Sequence, residues 1–212
     1  KPDRPPAPVQ AGSPRRWTRV IASQGFLAVA VVNFVVFFTR ASSSNTLLPL
    51  QGVGVYGLTL GQMGLIMTGI AVIGLALLPA AASISDRRGR TKAITPSLLG
   101  VAAALSVLAV AFDLTWFLVG AGILAVSAAM SGPAPAAFAA DNAHEDIRGL
   151  SLGMFRTAGD MGLLVGPPLL GWIADVGGFG AAFAVNALIV VAAAIVFHTA
   201  TRRGPVPDVS LA

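Results

Sequence analysis

The sequence predicts an all-α membrane protein of six spanning helices, and three observations predict it. Hydrophobic residues make up 55% of the 212, and the mean hydropathy is +0.79. Charged residues are only 11%, against roughly 25% in a soluble protein. A core of this size in water could not absorb so much apolar side chain, so the solvent must be lipid. The third observation is where the charge falls. Of the 14 Lys and Arg, all but Arg40 and Arg156 sit in short segments outside the apolar runs, the distribution that sets orientation in a bilayer. That placement accounts for the pI of about 11.1 without a nucleic-acid partner. With 0 Cys there is no disulfide and no thiolate site, and neither a metal nor a cofactor is expected.

The chain opens on Lys1 rather than Met and is expected to be a piece of a longer one. Residues 1–19 carry Pro2, Pro5, Pro6, Pro8 and Pro14 among scattered charges and read as a cytoplasmic linker or tail. A bundle over residues 20–203 follows, then a tail over 204–212. A membrane helix needs ~20 mostly apolar residues. Six runs qualify: Val20–Arg40, Gln62–Ile84, Ala93–Phe112, Leu114–Ala137, Gly149–Ile173 and Gly180–Ala200. An even count puts both termini on one side. Arg15, Arg16, Arg19, Arg87, Arg88, Arg90, Lys92, Arg148, Arg202 and Arg203 share that side, while the opposite loops hold mainly Asp113 and Asp175. The asymmetry places both ends in the cytoplasm, most simply of a bacterial inner membrane. The 24 Gly suit helices packed closely on one another.

Between the second and third runs lies Ala82-Ser83-Ile84-Ser85-Asp86-Arg87-Arg88-Gly89-Arg90-Thr91-Lys92, a turn holding four of the basic residues. Basic residues alone would anchor the topology. Asp86 needs a further reason, since acids contribute little to orientation. A carboxylate at a helix end can hold an Arg or a helix N-terminus and release it when parts move. The turn resembles the loop joining the second and third helices of each half of major facilitator superfamily (MFS) transporters, Gly-x-Leu-Ala-Asp-Arg-x-Gly-Arg-Lys. Ala82 and Ile84 depart from that pattern and Lys92 is displaced by one, but Asp86, Arg87, Gly89 and Arg90 match it. The resemblance implies a gating role for these four in stabilising an outward-facing state.

A second stretch, Gly153-x8-Gly162-x3-Gly166-Pro167-x2-Leu170-Gly171, resembles the same family's antiporter motif with Leu170 for the first closing Gly. Physically, Gly162 and Gly166 form a small face and Gly166-Pro167 permits a kink. An ordinary packing helix would satisfy the same pattern. Arg40-x4-Asn45-Thr-Leu-Leu-Pro-Leu50 with Gly57-Leu58-Thr59-Leu60 is similar to the seventh helix and following loop of multidrug-type members. Phe155-Arg156-Thr-Ala-Gly-Asp160-Met-Gly is similar to their eleventh. The resemblance therefore implies the C-terminal half of a twelve-helix bundle, working by alternating access with a small-molecule substrate near the midplane between halves. Its partners would be the bilayer, a proton, and the missing N-terminal six-helix half or a second copy. The function implied is proton-coupled efflux of small apolar or drug-like compounds.

Ionisable groups inside a span are costly and point to function. Arg156 and Asp160 are four apart, on one face of the fifth run and able to pair. Either they are a structural pair, or Asp160 carries the coupling proton with Arg156 tuning it. Asn33, Phe37, Asn45 and Met154 are the substrate-cavity candidates. Arg40 could snorkel to the outer interface, and Asn186 could bond between helices.

Two string matches are refused. Gly52-x-Gly54-x-x-Gly57 fits a dinucleotide fingerprint, but no strand precedes it and it falls in an outside loop. Gly149-x-Ser151-x-Gly153 with His144 fits a nucleophile elbow, but it opens a membrane helix rather than a strand-to-helix turn. An intramembrane serine hydrolase is accordingly the weaker reading, and the chain is expected not to be an enzyme. The nearer rivals are a metabolite or sugar symporter and a non-transporting half-transporter fragment.

Overall fold

In lipid the backbone must satisfy its polar groups within each segment, and this apolar chain does so as helix. The computed structural model describes residues 24–131, 133–141 and 148–202. The expected linker over 1–19, the tail over 204–212 and His144 lie outside the described residues. Among the described residues the elements are all helical: α1 (Gln24–Thr39), a π-helical segment (Arg40–Leu47), α2 (Leu48–Gly54), α3 (Leu60–Arg88), α4 (Arg90–Ala109), α5 (Leu114–Ser131), α6 (Pro133–Asp141) and α7 (Arg148–Arg202).

Among the described residues five helices are long and apolar enough to cross a membrane, where the sequence reading expected six. The difference lies in α7. Its 55 residues include Gly178 at φ 80° and ψ 168°, outside helical geometry, with a helix on either side. The chain also turns back there. Ala136 of α6 borders a cleft with Leu152, while Phe138 of α6 stacks edge-on to Phe197 at 5.6 Å. A straight helix would hold Leu152 and Phe197 about 68 Å apart at 1.5 Å per residue. Both reach α6, so α7 comprises an outgoing limb before Gly178 and a returning one after it.

The first span does not end at Arg40 as expected; it runs from Phe26 to Gly54 through the π-helical turns. Arg-Ala-Ser-Ser-Ser-Asn-Thr reads as a polar break, but the hydroxyls turn back onto the helix. Ser42 Oγ donates to the Phe38 carbonyl at 2.6 Å and Thr46 Oγ1 to that of Ala41 at 2.8 Å. The supposed outside loop Leu48–Gly54 is likewise helical, which gives the refused dinucleotide string a second contradiction. Helix α3 begins two residues before the expected Gln62. A capping box fixes its start: Gln62 N donates to Thr59 Oγ1 at 3.2 Å, and Thr59 N to Gln62 Oε1 at 2.9 Å. At its far end the expected eleven-residue charged turn shrinks to one residue. Asp86, Arg87 and Arg88 belong to α3, Arg90 opens α4, and only Gly89 (φ 88°) lies between. The left-handed φ required there is one that glycine adopts without penalty.

Helix α5 starts where Asp113 Oδ1 accepts from Trp116 N at 2.9 Å. Nearby, the Tyr56 hydroxyl donates to the Ala111 carbonyl at 2.8 Å, tying the turn after α2 to the turn after α4. Burial, and then the Asp113 carboxylate, raise the pKa of this phenol, so it keeps its proton. Helix α1 packs mainly on α7, α4 on α5 and α7, and α3 mainly on α5.

Where the returning limb of α7 meets the first span, Asn186 is 0% exposed. Its Oδ1 accepts from Thr39 Oγ1 at 3.1 Å and its Nδ2 donates to Ser43 Oγ at 2.7 Å. Replacing Asn186 by Leu is expected to destabilise the fold by about 0.6–2 kcal/mol, since two buried hydroxyls lose their partner in lipid. Reversible unfolding in mixed micelles, with Thr39→Val as the milder comparison, measures it.

Candidate functional site

The outgoing limb of α7 has two faces with opposite characters. One is buried at Ser151, Phe155, Gly159, Gly162, Gly166 and Leu170, a helical stripe of i+3 and i+4 steps. It lies on α1 so closely that side chains would not fit. A Cβ at Gly166 would stand 2.9 Å from the Phe38 carbonyl oxygen, one at Gly159 2.7 Å from Asn33 Nδ2, and one at Gly162 would fall on the Phe34 carbonyl. Asn33 Nδ2 donates to the Phe155 carbonyl at 2.7 Å. Contacts advance together along both segments (Asn33 with Phe155, Phe38 with Gly166), so α1 and this limb run parallel.

The structure therefore places Asn33 between helices as a packing bond, 5% exposed. Phe37 is half-buried beside Gly159, Met154 is half-buried, and Asn45 is exposed in the π-helical segment. Arg40 is exposed within a continuing span rather than at its end. Ser151 is buried inside the helix, which removes the geometry of a nucleophile elbow.

The other face follows Gly149, Gly153, Arg156, Asp160, Pro167 and Gly171, again one stripe by spacing. The antiporter-like glycines are thus divided. Gly162 and Gly166 hold α1, whereas a Cβ at Gly153 or Gly171 would meet nothing within 4 Å. The backbone keeps helical φ/ψ at Pro167 and departs from it at Gly178. Arg156 and Asp160 are both exposed, and no ion pair joins them. Their charges are offered outward instead. Arg156 also borders an open cleft of about 370 Å³ between α6 and α7, lined besides by Ala136, Gly149, Leu152, Gly153 and Phe155.

At the end of α3, Asp86 and Arg87 are exposed beside Gly89, and Arg90 opens the next helix. Asp86 sits in the last turn of α3, where the helix dipole disfavours an anion. Among the described residues no cluster of His, Cys, Asp and Glu could hold a metal ion.

Helical spans, the Asp86 joint and the charged glycine face all fit a membrane carrier, and the family model of the Major Facilitator Superfamily matches residues 13–211. The chain belongs to the Major Facilitator Superfamily. It is an integral membrane protein of a transporter family, not of an enzyme family. No curated protein matches it.

Sequence reasoning missed Gly159 as a contact residue of this MFS chain, although its spacing to Gly162 and Gly166 was a readable signal. It also missed the polar cluster of Thr39, Ser43 and Asn186, because helix partners are invisible in one sequence. Gly162→Ala is expected to lose about 1–3 kcal/mol through overpacking against α1, and Gly171→Ala to change stability little. Thermal unfolding of both variants in one detergent compares them.

Proposed function

We propose that this chain is one six-helix half of a twelve-helix, proton-coupled secondary transporter, with the two limbs of α7 as its fifth and sixth spans. The observation that carries the reading is the outward-facing pair Arg156 and Asp160 at membrane depth on α7, unpaired with one another. They lie about 12 and 18 Å beyond Arg148 at 1.5 Å per residue. Lipid is a poor neighbour for two bare charges, whereas the water-filled cavity between two transporter halves is a good one. Helix α3 supports the same reading. Only 6% of its most apolar window is buried, against 39–61% in the other spans, so it presents a face to a second bundle.

In this reading Asp160 takes up a proton in one state and yields it in the other, with Arg156 setting how readily. The proton biases two arrangements of the bundle only as far as its affinity differs between them. Asp86, Arg87, Gly89 and Arg90 act as a latch at one end. Asp86, disfavoured by the dipole of its own helix, is free to accept from the opposing half. Both termini lie in the cytoplasm of a bacterial inner membrane.

The antiporter-like glycines and the multidrug-like wording of α1 and α7 favour export of small apolar or drug-like compounds. A second reading, symport of a metabolite, is favoured by the opposite charges on the open face, which suit a polar substrate.

Asp160→Asn is expected to abolish substrate-driven proton movement. Vesicles holding the complete transporter, with ethidium as the drug-like probe and a trapped pH dye as the readout, test this. Proton flux at the wild-type rate in Asp160→Asn would exclude Asp160 as the carrier. A reporter fused after Gly89 should be active only in the cytoplasm; activity outside the cell would reverse the orientation and with it the latch.

A further inference from the structure

A guanidinium keeps its proton under any condition a protein meets, so the charge of Arg156 must be matched rather than shed. Asp160, one turn on, does not match it by contact. Every other residue lining the cleft beside Arg156 is apolar or glycine: Ala136, Gly149, Leu152, Gly153 and Phe155. A Cβ at Gly149 or Gly153 would meet nothing within 4 Å, so a flat body can lie against the helix backbone there. One fixed cation in an otherwise apolar cleft of about 370 Å³ is the complement of an acid group on an apolar body. That volume falls in the ~300–1,000 Å³ range of small-molecule sites.

We propose that Arg156 anchors the carboxylate, sulfonate or phosphate of an amphiphilic organic acid, making acids the preferred substrates of this chain. The inference rests on the transporter reading in its second, symport form and narrows the substrate class of that form to acids.

The charge arithmetic supports it. With Asp160 ionised and the cleft empty of ligand, this face sums to zero. With Asp160 protonated and an acid on Arg156, it sums to zero again. Each state is then fit to pass through a low-dielectric bundle. Proton and acid load together, which is the sense of symport. Among the described residues the other charged groups at this end of the two cleft-lining helices are Arg148 on α7 and Asp141 on α6.

The test is a matched pair of probes, 1-naphthoate and the uncharged 1-naphthamide, which share a shape and differ in charge. Binding to the full chain in phosphatidylcholine nanodiscs is read by equilibrium dialysis, with empty discs subtracted. The carboxylate should bind at least about tenfold tighter, as expected for a charged hydrogen bond. Arg156→Gln should erase that preference, Arg156→Lys should keep part of it, and Arg202→Gln should leave it intact. Equal affinities in the parent chain, or a preference that survives in folded Arg156→Gln, overturn the proposal. If Arg156→Gln does not fold, Arg156→Lys decides: an undiminished tenfold preference for naphthoate overturns the anchoring role of the guanidinium, and a reduced one upholds it. Naphthoate affinity unchanged in discs containing phosphatidylglycerol upholds a solute as the source of the acid. Affinity lost there overturns it in favour of a lipid headgroup. Binding is measured without flux, so a failure here leaves the transport reading standing, and a failure of transport leaves this result standing.

Discussion

Inside a bilayer a buried donor or acceptor has no water to fall back on, and this constraint decides how the helices meet. Where α1 and the outgoing limb of α7 touch, backbone approaches backbone across Gly159, Gly162 and Gly166, and Asn33 donates to the Phe155 carbonyl. Where the returning limb of α7 meets the first span, Thr39, Ser43 and Asn186 exchange hydrogen bonds out of reach of solvent. Dispersion supplies the attraction between such helices in lipid. The polar bonds select which faces may be brought together, because other pairings would strand a hydroxyl or an amide. The first span and both limbs of α7 are thereby joined into one packed unit, and the charged stripe of α7 is turned away from it.

That division of α7 gives its exposed face its character. The glycines on the packed side act through the side chains they lack, by letting a carbonyl come close. The glycines on the open side leave room beside Arg156 and Asp160. One sequence motif thus serves two unrelated physical purposes on opposite sides of a single helix, and only the first is needed for folding. Among the described residues the pair of charges makes no contact that helps the helices pack, and an ionisable group in a span is costly.

Much of this was readable before the structure. Lipid as the solvent followed from composition. The apolar runs were placed to within a few residues, except where polarity misled. Arg40–Leu47 looked like an exit from the membrane because a one-dimensional reading assigns serine to water. It cannot see a hydroxyl folded onto the preceding turn or an Asn186 waiting on another helix. The charged turn at Asp86 looked long because charge was taken as loop, whereas Asp86, Arg87 and Arg88 are simply the last turn of α3. At Gly178 the sequence reading placed a loop between two runs, and the structure narrows it to a single reversed residue. The four cavity candidates were chosen by residue type alone. Type cannot separate Asn33, spent on a helix contact, from Arg156, which is not.

The joint at Gly89 has a mechanical corollary. Two long rods linked through a single residue have no slack between them. The joint can flex, but it cannot stretch, so neither rod can slide lengthwise without dragging the other. A sideways tilt of the sparsely covered α3 must therefore be absorbed as a tilt or roll of α4, which is wedged against α5 and α7. The arrangement behaves as a crank: displacement gathered at the loosely held edge of the molecule is delivered to its densely packed interior.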